Sequence, residues 1–117
     1  MGPSALLRWQ WDGYSRYHLS RNNLLLHIVA VPFFLMSNVG LVAGLLRGSL
    51  GLAGLGLGGM LGSMAVQNIG HKKEENPPVP FTGPANALGR VFLEQWITFP
   101  RFVLTGGWAR ALRRTSP

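Results

Sequence analysis

Two long stretches without a formally charged side chain dominate the pattern of the chain. Leu24 to Leu46 reads LLLHIVAVPFFLMSNVGLVAGLL and Gly48 to Gly70 reads GSLGLAGLGLGGMLGSMAVQNIG, with only Arg47 between them. Each runs for 23 residues. A helix of that length covers about 34 Å, enough for the roughly 30 Å hydrocarbon core of a bilayer. The pattern therefore predicts transmembrane helices over 24–46 and 48–70, joined as a hairpin. The second stretch holds eight glycines, a number that would ruin a soluble helix but that lets backbones approach closely in a bilayer. Gly40, Gly44 and Gly48 repeat every four residues, as do Gly54, Gly58 and Gly62, and both rows are expected to be packing faces of the hairpin.

The flanks are amphipathic. In residues 1–23, Leu7, Trp11, Tyr14 and His18 fall on one helical face, and Arg8, Asp12 and Arg16 fall on another. In residues 71–117, Leu88, Val91, Phe92, Gln95, Trp96 and Phe99 make a similar face, with Arg90 and Glu94 placed opposite. Trp and Tyr favour the membrane–water boundary, so both flanks are expected to lie along it. A third span over the C-terminal apolar run would have to bury Arg90, Glu94 and Arg101, which is expensive. The expected fold is all-α: an integral membrane helical hairpin with flanking interfacial amphipathic helices, forming one domain over 1–117.

Composition agrees with this picture and narrows the partners. The chain is 47% hydrophobic and 13% charged, which excludes intrinsic disorder, and it has no Cys, which excludes disulfides and thiolate metal sites. Its net charge of +7 arises from clusters beside the apolar stretches. Nucleic-acid binders carry a dense basic stripe, and long uncharged runs argue against that partner. By the positive-inside rule both termini face the cytoplasm, in a bacterial cytoplasmic membrane or the endoplasmic reticulum, with basic residues against lipid headgroups. The glycine rows also offer a route to a homo-oligomer.

The candidate chemistry lies with three histidines. His27 begins one span and His71 follows the other, so an antiparallel pair places them at the same depth. His18 stands nine residues before His27, about 13.5 Å away in a continuous helix, and joins them only if the chain turns at Ser20–Asn23. Glu75, four residues past His71, shares its face if that helix continues, though Pro77 and Pro78 end it nearby. Imidazoles gathered in this way suit Fe, Zn, Cu or Ni, and with a carboxylate they suit non-haem Fe(II) oxygen chemistry. The bland alternative is a set of interfacial histidines without a ligand. Asn23 is then a plain helix cap rather than a support for a ligand.

The stretch YHLSRNNLLLHIVAVP (Tyr17–Pro32) has the form H-x4-N-x3-H-x4-P, and QNIGHKKEENPPVP (Gln67–Pro80) has the form Q-x-I-G-H followed by an acidic residue and Pro. In this order, separated by an apolar hairpin, they resemble the membrane-embedded 2-hydroxy fatty acid dioxygenase family. The resemblance covers most of the chain. It implies an Fe(II) enzyme of fatty acid α-oxidation that uses O2 to shorten a 2-hydroxy fatty acid by one carbon. By position, it implies that His18, His27 and His71 are metal ligands, that Asn23 belongs to the cofactor site, and that Glu75 is the acidic partner. The family uses a fourth His that this chain lacks, so Glu75 or water is expected to complete the site. Lys72 and Lys73 are expected to attract the acid headgroup. A reading from another class is a non-catalytic membrane scaffold or lipid-binding protein that assembles through its glycine faces.

Overall fold

The computed structural model describes residues 1–115 and contains helices and no strand among them. Helix α1 spans Pro3–Gly13 and passes into a single 3-10 turn, Tyr14–Tyr17. Two long helices follow, α2 over Arg21–Arg47 and α3 over Leu50–His71. A loop then leads to α4, Pro84–Leu93, which continues through a π-helical stretch, Glu94–Thr98, into α5, Phe99–Leu104. After a turn at Gly106, whose φ of 82° suits glycine, α6 runs over Gly107–Arg114.

Local sequence sets these limits. Ser20 caps α2 by accepting from the Asn23 N–H, and Ser49 caps α3 by accepting from the Leu52 N–H. Between the long helices, Gly48 takes the left-handed conformation at φ 68°, which ends α2 and reverses the chain. The two helices then pack against each other along their length. A Cβ on Gly44 would meet the backbone of Ala53, and one on Gly56 would meet the backbone of Leu41 and Ser37. Helix α3 thus meets α2 through Ala53, Gly56, Gly59, Met60, Ser63 and Gly70. This corrects one expectation. Gly54, Gly58 and Gly62 face open space, because 3.6 residues per turn cannot put both Gly56 and those three on one seam.

Helices α2 and α3 are long and apolar enough to cross a membrane. Only 22% and 28% of their most apolar windows are buried, whereas a core helix of a soluble protein would be mostly covered. Phe33, Met36, Val39, Leu45, Leu55 and Leu61 are among the apolar side chains left exposed.

The flanking segments fold onto one end of this pair. The Trp108 indole donates to the Leu24 carbonyl oxygen and ties α6 to the start of α2. Gln10 donates to the Arg90 carbonyl oxygen and ties α1 to α4. Tyr14, Leu24, Val31, Phe99, Phe102 and Ala111 form the apolar core where these segments meet.

Candidate metal centre

The chain turns where the sequence suggested. His18 (φ −133°, ψ 58°) leaves helical geometry between the 3-10 turn and the Ser20 cap, so its side chain folds back over the first turns of α2. His27 lies on the inner face of α2, and His71 closes α3 on the same side of the molecule. The three imidazoles meet nearly edge to face, with ring centres 5.2 Å (His18–His27), 5.2 Å (His18–His71) and 4.9 Å (His27–His71) apart.

The fourth member is Glu94. Its Oε2 lies 3.6 Å from His18 Nε2 and 3.9 Å from His27 Nε2. One ligand atom from each of His18, His27, His71 and Glu94 lies within 4.8 Å of every other. The expected carboxylate, Glu75, is exposed and stands outside this group. The helix stops at His71 and the chain turns into bends before Pro77, so the four-residue spacing no longer places Glu75 beside the histidine. Glu94 itself was expected on a polar outer face with Arg90. Instead it opens the π-helical stretch, where the wider turn carries Glu94, Gln95 and Thr98 inward together.

Hydrogen bonding fixes how the rings present themselves. His18 Nδ1 pairs with the Tyr14 carbonyl oxygen at 2.8 Å, and His27 Nδ1 with the Asn23 carbonyl oxygen at 3.1 Å. A carbonyl only accepts, so each Nδ1 carries the proton and each neutral ring keeps its Nε2 lone pair free. Those two Nε2 atoms and His71 Nδ1 are buried without any partner. Two imidazole nitrogens with free lone pairs, a third from His71 without a hydrogen-bond partner, and a carboxylate oxygen therefore gather at one point. Such a set is costly unless a cation stands between its members, and the donors suit a first-row divalent metal.

Two outer residues shape this end. The Glu74 carboxylate accepts from the Leu19 and Ser20 N–H groups and from Asn23 Nδ2 at 2.7 Å, tying the end of α3 to the start of α2. Asn23 thus supports His27 through its main chain, while its side chain serves Glu74 and packs on Gly70 rather than entering the cluster. On the other side, the Tyr14 hydroxyl donates to Glu94 Oε2 at 2.7 Å, and its ring stacks on His18 at 3.9 Å. Burial, followed by the charge of Glu94, raises the Tyr14 phenol well above its ordinary value, so it stays a donor. Burial alone would raise the Glu94 carboxyl. With no cation bound, protonated imidazoles, His18 first and then His27 and His71, outweigh that and bring it to about 2, below the usual 4.5.

The cluster opens on one side to a cleft of about 410 Å³, lined by His18, His71, Glu94, Trp9, Phe81 and Arg16 among others. On the opposite side Phe99 and Phe102 seal it, with ring centres 5.8 Å from His27 and 6.1 Å from His18 respectively. Lys72 and Lys73 are exposed and do not line the cleft. Beneath it, Gln67 and Gln95 exchange two buried amide hydrogen bonds of 2.9 and 2.8 Å.

Sequence reasoning missed Glu94, Tyr14 and Glu74. A signal for Glu94 was present: an acid inside an apolar run costs too much to lack a partner. Compared with known protein families, curated proteins and solved structures, the chain matches none.

Proposed function

We propose that this chain is an integral membrane, Fe(II)-dependent dioxygenase acting on 2-hydroxy fatty acids. The reaction takes a 2-hydroxy acid and O2 to the acid one carbon shorter, CO2 and water. The C1–C2 bond breaks, C2 becomes the new carboxyl carbon, and O2 takes up four electrons. The observation that carries this reading is the convergence of three partnerless imidazole nitrogens on one carboxylate oxygen. Three His and a carboxylate suit iron, and the two histidine motifs favour iron over zinc through the family they resemble.

In this reading α2 and α3 form a membrane hairpin, with α1 and the C-terminal helices along the interface. The basic residues near the site, from Arg16 to Arg114, put that end and both termini in the cytoplasm. The membrane is a bacterial cytoplasmic membrane or the endoplasmic reticulum. His18, His27, His71 and Glu94 would hold the iron, which when bound would supply the redox chemistry that activates O2. The chain's own residues do the rest. The Tyr14 and Asn23 carbonyls orient two imidazoles, and Phe99 and Phe102 keep water from the buried side. The cleft gives an amphiphile an aromatic-lined path, with Arg16 at hand for a carboxylate.

Metal analysis tests this. Protein purified in mild detergent and loaded anaerobically with Fe(II) should retain one iron per chain. His27→Ala and His71→Ala should each abolish both bound iron and release of the shortened acid. Unchanged iron in both variants sinks the assignment. A second reading, a non-catalytic scaffold, draws on the open face of Gly54, Gly58 and Gly62. Wild-type protein that holds no stoichiometric metal after loading favours it.

A further inference from the structure

Tyr14 touches two members of the cluster with two different groups. Its main-chain oxygen accepts from His18 Nδ1 at 2.8 Å, and its hydroxyl donates to Glu94 Oε2 at 2.7 Å. Its ring lies parallel to that of His18, 3.9 Å between centres and 18° between planes. The side chain is only 4% exposed, so neither bond competes with bulk water. The two ligands it holds come from opposite ends of the chain, since Glu94 lies 80 residues further on.

We propose that Tyr14 is a positioning residue of the metal centre, and that its hydroxyl sets the orientation of the Glu94 carboxylate toward the three imidazoles. This rests on the reading that the cluster binds a metal. A glutamate has three side-chain torsions, the last of them broad, and nothing in helical geometry fixes which oxygen faces inward. The oxygen bonded to Tyr14 is the same Oε2 that lies nearest His18 and His27. The hydroxyl bond therefore decides the rotation about the last torsion. It also occupies one lone pair of Oε2, which favours binding of an ion through a single oxygen. Groups holding a ligand in this way typically contribute ~10–100-fold to metal affinity.

Cobalt(II) is a suitable probe, because its visible absorption reports the ligand set directly. Tyr14→Phe keeps the ring, its stacking and the main-chain oxygen, and removes only the hydroxyl. We expect it to keep its helical circular dichroism, to bind Co(II) about 10–100-fold more weakly, and to shift the cobalt bands. Placed in a Glu94→Ala background, where the accepting side chain is gone, the same change should alter affinity by less than about twofold. Wild-type affinity and bands in Tyr14→Phe overturn the proposal. An undiminished loss in the Glu94→Ala background also overturns it, because Tyr14 then acts elsewhere.

A measurement on the unsubstituted chain stands beside these. Tyr14 and Tyr17 are its only tyrosines, so fluorotyrosine labelling gives two ¹⁹F signals. Zn(II) should move the Tyr14 signal, assigned with Tyr17→Phe, and an unmoved signal on a zinc-loaded chain overturns the proposal. Wild-type protein that binds neither Co(II) nor Zn(II) overturns the metal reading as well. A loaded wild type with an indifferent Tyr14 overturns only the positioning role.

Discussion

The same two helices solve opposite problems at their two ends. Near the Gly48 turn, Gly44 lies on Ala53 and Gly56 on Leu41, backbone against backbone, with nothing titratable between them. At the other end the seam carries Asn23, His27, Ser63, Gln67 and Gly70, and the cluster beside it needs side chains from two further segments, His18 and Glu94, to complete it. The first end gains from contact alone, through many small dispersion terms that require close approach. The second end gathers polar atoms that the chain leaves partly unsatisfied, including three imidazole nitrogens. Close packing at one end thus acts as a rigid base from which the other can hold an arrangement that does not stabilise itself. A functional site built on stiff elements is held more closely than one built on loops.

The largest effect should come from breaking the base. In Gly56→Ala the added carbon would fall on the backbone nitrogen of Leu41 and the carbonyl of Ser37, and backbone cannot swing aside as a side chain can. We expect a loss of about 1–3 kcal/mol or more, as for other overpacked sites. Thermal unfolding in detergent, followed by circular dichroism, measures it. Gly58→Ala, two residues along and facing open space, is the internal control and should be neutral or mildly stabilising, since Ala is the better helix former. Equal melting of the two variants would refute the seam.

That contrast also separates what the sequence revealed from what it did not. The two long helices, the break at Ser20 and the meeting of His18, His27 and His71 followed from charge-free length, capping chemistry and antiparallel topology. Those are local or nearly one-dimensional properties. The choice of seam was not: Gly54–Gly58–Gly62 and the row through Gly56 are both glycine-rich, and only the angular position of α3 against α2 distinguishes them. Glu94 was hidden for a similar reason. Its distance from the histidines depends on how the C-terminal helices dock, and its inward direction depends on a π-helical turn that periodicity arguments assume to be absent. Glu75 had the right spacing on paper, and the end of α3 at His71 removed it.

A smaller effect should appear where the two solutions meet. Gly70 lies on α3 one residue before His71, and a Cβ there would strike the Asn23 side-chain oxygen. Asn23 holds both Glu74 and, through its carbonyl, His27. In Gly70→Ala, displacement of Asn23 should weaken Co(II) binding by about tenfold while the Gly44–Ala53 contact keeps the helices paired. A cobalt titration checks this. Intact affinity would show that the capping region and the metal centre are independent.

The last effect is a pH dependence that only the polar end can supply. In the metal-free chain the Glu94 carboxyl sits at about 2, against 4.5 for the free group. A depressed carboxyl releases its proton more readily in the folded state, so its contribution is fully present above the unfolded value. It is lost as pH falls from about 4.5 toward 2. Chemical denaturation of the metal-free chain across that window should therefore show stability declining with acid. Glu94→Gln, which keeps an acceptor for Tyr14 but cannot titrate, should flatten the part of the slope due to this carboxyl. Gly58→Ala should leave the slope unchanged, because no titratable group lies on its face. An identical acid slope in wild type and Glu94→Gln would mean that the imidazoles do not hold the carboxylate in its charged form.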